Sequence, residues 1–147
     1  MKKIVFILSF ILGVSVSLVA QKSAVFIKGD AAISGYDPVA YFTAGKPVKG
    51  NKEFSFNYKG ADWYFSGKQN LEAFKADPEK YTPQYGGYCA YGLADGHKAP
   101  TEPDAWTIVN GKLYFNYNKD VQAMWNKQQK KFITTADKNW PELKDKE

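Results

Sequence analysis

The chain has 147 residues, a formal net charge of +5, and 44% hydrophobic, 24% charged and 16% aromatic residues. That is the composition of one globular domain, with or without a leader, and it excludes disordered, collagen-like and coiled-coil classes. A single cysteine excludes an internal disulfide framework and a four-cysteine zinc site. All 20 basic residues are lysine, so no guanidinium fork for phosphate or carboxylate exists.

Lys2 and Lys3 precede an apolar run from Ile4 to Ala20 that stops at Gln21. This reads as a secretory signal peptide over residues 1–20, followed by a single domain over residues 21–147. An uncleaved anchor is the alternative, but the run is at the short edge of what crosses a bilayer and no basic cluster follows it. We therefore expect a periplasmic or secreted protein, without membrane contact after cleavage. Lys127, Lys130 and Lys131 near Phe132 read as a solvated helix face, and an exported protein meets little nucleic acid, so no nucleic-acid partner is expected.

Val25 to Ile27 is a short apolar stretch, followed by a turn at Gly35 to Val39, in which Asp37 caps a helix with Pro38 at its first position. Phe54 to Tyr58 alternates at period two, Lys59 to Asp62 turns, and Trp63-Tyr64-Phe65 returns, which predicts a β-hairpin. Ser66 with Gln69 makes a capping-box pattern, Leu71 and Phe74 give the inner face of a helix, and Asp77-Pro78 ends it. The same order recurs. Trp106 to Val109, the turn Asn110-Gly111 and Lys112 to Tyr117 form a second hairpin, Asn118 caps a helix, and Val121, Met124, Trp125 and Gln128 fall on one stripe that assigns Met124 to the core. Setting Phe65 against Phe115 also aligns Tyr64 with Tyr114, Leu71 with Val121 and Phe74 with Met124. That alignment is open to two explanations, an internal half-repeat or convergence of two ordinary hairpin-helix units. The expected fold is α+β, with two β-hairpin-helix units sharing one core and a short Gly/Tyr-rich helical segment joining them. Thr135 to Leu143 predicts a last short helix with Trp140 buried.

Asp37-Pro38-Val39, Trp63-Tyr64-Phe65-Ser66 and the run Phe74-Lys75-Ala76-Asp77-Pro78-Glu79-Lys80-Tyr81 together resemble the YHS domain family over roughly residues 33–81. The resemblance implies a small α+β module associated with metal handling. Its usual ligand positions are a Cys after Asp-Pro-Val, a His or Cys after the return strand, and a Cys in the helix. Here those positions hold Ala40, Ser66 and Asn70, poor ligands for a soft metal. The extension through Gly86-Gly87-Tyr88-Cys89-Ala90-Tyr91 resembles a longer, exported subgroup of the family, with relatives labelled as selenoproteins.

Cys89 is the residue on which the readings divide. Tyr88 to Asp95 reads as a short helix with Gly at each end, and Cys89 in its first turn has a physical basis for thiolate character and a redox role. It is equally the sole cysteine available to a soft metal, copper or zinc, with His97 and Asp37 as candidate co-ligands and Asp95 or Glu102 as further oxygen donors. It is also a candidate for plain burial. A helix would hold Cys89 and His97 about 12 Å apart at about 1.5 Å per residue, whereas a loop would let them meet. His97 alone is an exposed loop residue. Tyr36, Tyr41, Tyr88, Tyr91 and Trp106, with Tyr85, suggest either an aromatic cleft for a small ligand or ordinary packing. No GxSxG, P-loop, GxGxxG or HExxH motif is present. We expect a non-catalytic exported binding module for metal handling or for a partner in it. The alternatives are a single-thiol redox protein acting through Cys89 and an interaction domain without chemistry.

Overall fold

The computed structural model describes residues 23–146, so the signal peptide expected over residues 1–20 lies outside the described residues. Among the described residues are three two-stranded antiparallel sheets and six α-helices, none long and apolar enough to cross a membrane. A small hairpin, β1 (Ile27–Lys28) and β2 (Ala31–Ala32), comes first. Then follow α1 (Ala40–Thr43), β3 (Asn51–Tyr58), β4 (Ala61–Phe65), α2 (Lys68–Ala76) and α3 (Pro78–Tyr81). The second half runs α4 (Ala90–Ala94), β5 (Trp106–Val109), β6 (Lys112–Phe115), α5 (Lys119–Asn126) and α6 (Gln129–Leu143).

Both predicted hairpins form, and the two turns are alike. Asn110 and Gly111 take φ 51° and 74°, and Lys59 and Gly60 take 52° and 74°, the doubly left-handed geometry that matches strand twist. The first turn is thus two residues long, shorter than the expected Lys59 to Asp62, because Ala61 and Asp62 pair with Tyr58 and Asn57. Along β3, Phe54, Phe56 and Tyr58 are half-buried between exposed Ser55 and Asn57. Phe74 of α2 receives Phe56, Tyr58, Trp63 and Phe65 with ring centroids 5.0–6.3 Å away.

The core is divided where the sequence suggested a single one. The first cluster holds Val39, Tyr41, Trp63, Phe65 and Phe74, and the second holds Phe26, Tyr85, Tyr88, Leu93 and Trp125. The second hairpin is the wall between them. Leu113 and Phe115 of β6 enter the first cluster and Tyr114 enters the second, because successive strand residues point to opposite faces.

Three helix details correct the sequence reading. α2 starts at Gly67 with no side-chain cap, because Ser66 is bonded elsewhere. On α5, Met124 is 45% exposed and Trp125 is fully buried, so Trp125 plays the part of Phe74. The cause is Tyr117, one residue more than the first half has between return strand and helix, which shifts the correspondence of the two helices by one residue, so that Phe74 and Trp125 each lie seven residues past the N-cap. α6 is much longer than expected, fifteen residues, and Trp140 is only half-buried on it. Lys127, Lys130 and Lys131 are exposed, but they gather at the bend between α5 and α6 instead of along one helix.

The repetition reaches further back than the hairpins. Ile33, Ser34 and Gly35 are three consecutive left-handed residues, with φ 43°, 60° and 76°. Tyr85, Gly86 and Gly87 repeat this with 56°, 62° and 90°, a run that side-chain sterics make rare outside glycine. Each run is followed by a tyrosine and then by a residue whose N–H reaches a carbonyl downstream: Asp37 to Val48 (2.9 Å) and Cys89 to Ala99 (3.0 Å). A short helix, a hairpin and a longer helix follow in both halves. At the far side, Lys98 Nζ donates to the carbonyls of Ser23 (3.4 Å), Lys144 (2.6 Å) and Lys146 (2.8 Å), clamping the two ends of the described chain together.

Candidate functional site

The chain turns sharply at Asp37, and that carboxylate is fully buried. Its Oδ1 accepts from the N–H groups of Val39 (2.9 Å) and Ala40 (3.3 Å), so Asp37 braces the approach to α1 as expected, but α1 itself begins at Ala40 and Pro38 lies in the turn before it. Its Oδ2 accepts from Ser66 N–H (2.8 Å), Ser66 Oγ–H (2.7 Å) and Asn70 Nδ2 (2.8 Å). Ser66 sits just past β4 and Asn70 in the first turn of α2, so one carboxylate joins the Asp-Pro-Val turn, the return strand and the helix. Residues 39–85 match the YHS domain. No curated protein and no solved structure matches the chain significantly.

In this YHS unit, the three positions where the resemblance places soft ligands are the ones gathered around Asp37. Ala40 offers only its N–H, and Ser66 and Asn70 direct their hydroxyl and amide protons at the carboxylate. An oxygen saturated by donors and two neutral side chains already engaged do not fit a soft metal, which needs thiolate or imidazole donors. Among the described residues no three His, Cys, Asp or Glu side chains are grouped as metal ligands.

The second half repeats the joint with other chemistry. Cys89, at the place corresponding to Asp37, is 2% exposed and stands at the start of α4. Its Sγ accepts from Gly92 N–H (3.4 Å) and donates to Asn116 Oδ1 (3.6 Å). Asn116 follows Phe115 as Ser66 follows Phe65. It is fully buried and also accepts from Tyr91 N–H (3.1 Å), while its Nδ2 has no partner. Burial pushes the Cys89 thiol up, against smaller pulls from the N–H groups of Gly92, Tyr117 and Tyr91. A buried thiol held in its protonated form lacks both exposure and thiolate character, the two properties of a reactive cysteine.

His97 packs its backbone on Gly92, its N–H donating to that carbonyl (3.0 Å), and its imidazole is 57% exposed with Nδ1 3.6 Å from Asp95. Cys89, His97 and Asp37 are therefore distributed over separate environments. The aromatic residues divide likewise. Tyr41 packs edge-on against Trp106 and Phe115 and donates its hydroxyl to Pro103 O (2.9 Å), with Tyr36 beside the same cluster. Tyr88 packs on Phe26, and Tyr91 stacks on Phe132, both in the second cluster. A cavity of about 350 Å³ between the Lys59–Glu79 pair and Trp140 is lined by Tyr85, a second of about 350 Å³ is lined by Tyr88 and Phe26, and one of about 170 Å³ by Tyr91 and Phe132, so none of these brings the five aromatic residues together.

Asn116 escaped the sequence reading. The signal was its alignment with Ser66 one residue after the paired Phe65 and Phe115.

Proposed function

We propose that the chain is an exported, non-catalytic binding module that works through contacts with a partner protein. Its YHS unit serves as scaffold and is not a soft-metal carrier. The observation that carries this reading is the buried Asp37 carboxylate, whose acceptor capacity is taken up by donors from the family's ligand positions. The buried, proton-retaining Cys89 supports it against thiol redox chemistry. The YHS match supports a place in metal handling, as a protein partner of that machinery. The leader pattern of residues 1–20 supports export.

The test is a titration of the folded protein with Cu(I) and Zn(II) alongside a thiol-reactive probe. Binding well below one metal per chain, and a thiol that reacts only after denaturation, are expected. Stoichiometric metal that is lost in Cys89→Ser or in Asp37→Asn would overturn the reading. Export is checked by expressing the full chain and sequencing the recovered N-terminus, which is expected near Gln21. Recovery of an unprocessed, membrane-bound chain would overturn that part.

A further inference from the structure

The bend between α2 and α3 carries its own carboxylates. Asp77 stands at the bend with φ −151° and ψ 75°, and its side chain accepts from Lys80 N–H. Glu79, in the first turn of α3, accepts from the Tyr58 hydroxyl and pairs with Lys59 at 2.9 Å. The same bend recurs between α5 and α6, where Gln128 has φ −145° and ψ 46°. In this register Gln128 stands for Asp77 and Lys130 for Glu79. α6 accordingly starts with no side-chain cap and no acidic residue in its first turn.

Lys127, Lys130 and Lys131 are all exposed at this bend, and among the described residues none of them pairs with a carboxylate. They meet the positive end of a fifteen-residue helix, so the cations and the helix dipole add. The bend carries a shallow, open depression whose lining includes Asn126, Gln128 and Thr134 beside the three lysines, and no aromatic or acidic side chain. Its frame is fixed from behind by fully buried Trp125 and by Phe132, whose ring lies 4.9 Å from that of Tyr91.

We propose that this basic bend docks an acidic segment of a partner protein, whose carboxylates serve it as Asp77 and Glu79 serve the equivalent bend of the first half. Charge complementarity selects the partner. The carboxylates that Asp77 and Glu79 supply at the equivalent bend favour an acidic peptide over a lipid phosphate, and the lack of aromatic rings in the lining disfavours stacking of a sugar. This rests on the reading of the chain as a partner-binding module and names its surface.

The experiment measures fluorescence anisotropy of a labelled glutamate-rich peptide with the whole processed protein, at low and at moderate salt. Saturable binding that weakens with salt is expected. Substituting Lys127→Ala, Lys130→Ala and Lys131→Ala together should weaken it about tenfold, as the loss of three surface ion pairs would. A control with the same charge loss, Lys46→Ala, Lys68→Ala and Lys112→Ala, all exposed elsewhere, should change it by less than about twofold. Equal losses in the two triple variants, or no saturable binding by the parent protein, would overturn the proposal. So would binding to phosphatidylglycerol vesicles with the same lysine dependence but none to the peptide. The metal and thiol results stand independently of all these outcomes.

Discussion

The two halves of the molecule follow one path with different chemistry at the joint. In the first, a carboxylate with five donors ties turn, strand and helix together, and Ser66 is drawn from its capping role to serve it. In the second, a thiol with two long contacts and an amide that also accepts from Tyr91 N–H at 3.1 Å make the joint, and Asn118 is left to cap α5 by accepting from Val121 N–H at 2.9 Å. The difference teaches that the polar residue after the return strand belongs to the joint. Side chains at such a position report on how the halves are fastened before they report on a metal.

The largest expected effect is at Asp37. Asp37→Ala should cost about 3–5 kcal/mol in urea unfolding, since buried donors left without an acceptor cost about 1–3 kcal/mol each. Cys89→Ala should cost clearly less. Equal costs would break the contrast between the two joints. Nearly as large, Trp125→Ala should cost about 3–5 kcal/mol and Met124→Ala less than about 1 kcal/mol. The reverse order would remove the one-residue shift in the correspondence of α5 with α2.

Next comes alkaline pH. The folded Cys89 thiol lies above its unfolded value, so the stability this group contributes is complete below about pH 8.5 and is lost as pH rises. Burial raises Tyr41, Tyr85, Tyr88 and Tyr114 as well, so a second loss should set in above about pH 10. Cys89→Ser should flatten the first slope and leave the second. Stability that is flat from neutrality to pH 10 in the parent protein would contradict a buried thiol. The smallest pair concerns the helix starts. Asn118→Ala should cost about 1 kcal/mol, whereas Gly67→Ala, at φ −175° with open space around it, should cost about half of that, since glycine is a better N-cap than alanine but makes no side-chain bond to lose.

Much of this plan was legible in the sequence because local chemistry determines it. Asn110-Gly111 specifies its turn, Asn118 its helix, and Asp37 the approach to α1. What could not be read depends on contacts between distant segments. Ser66 has the local pattern of a cap, and only the arrival of Asp37 from 29 residues away diverts it. The same holds for the left-handed Ile33, Ser34 and Tyr85, whose side chains give no warning of such a backbone. The one-residue shift between α2 and α5 turns on one inserted residue, Tyr117. The start of α6 was not readable because it has none of the usual signals, neither a side-chain cap nor an acidic residue in its first turn. Of the candidate site, the family's three ligand positions were readable as substituted, but not their convergence on one carboxylate.

The clamp made by Lys98 has a consequence for chain order. With the carbonyls of Ser23, Lys144 and Lys146 meeting at one ammonium group, a few linking residues would close the described chain into a ring. That ring could then be opened between the halves, near Thr82, so that synthesis runs through the second half before the first. If such a rearranged chain unfolds at a similar urea concentration, the sequence in which the halves leave the ribosome is no part of what the fold requires, and each half carries its own instructions.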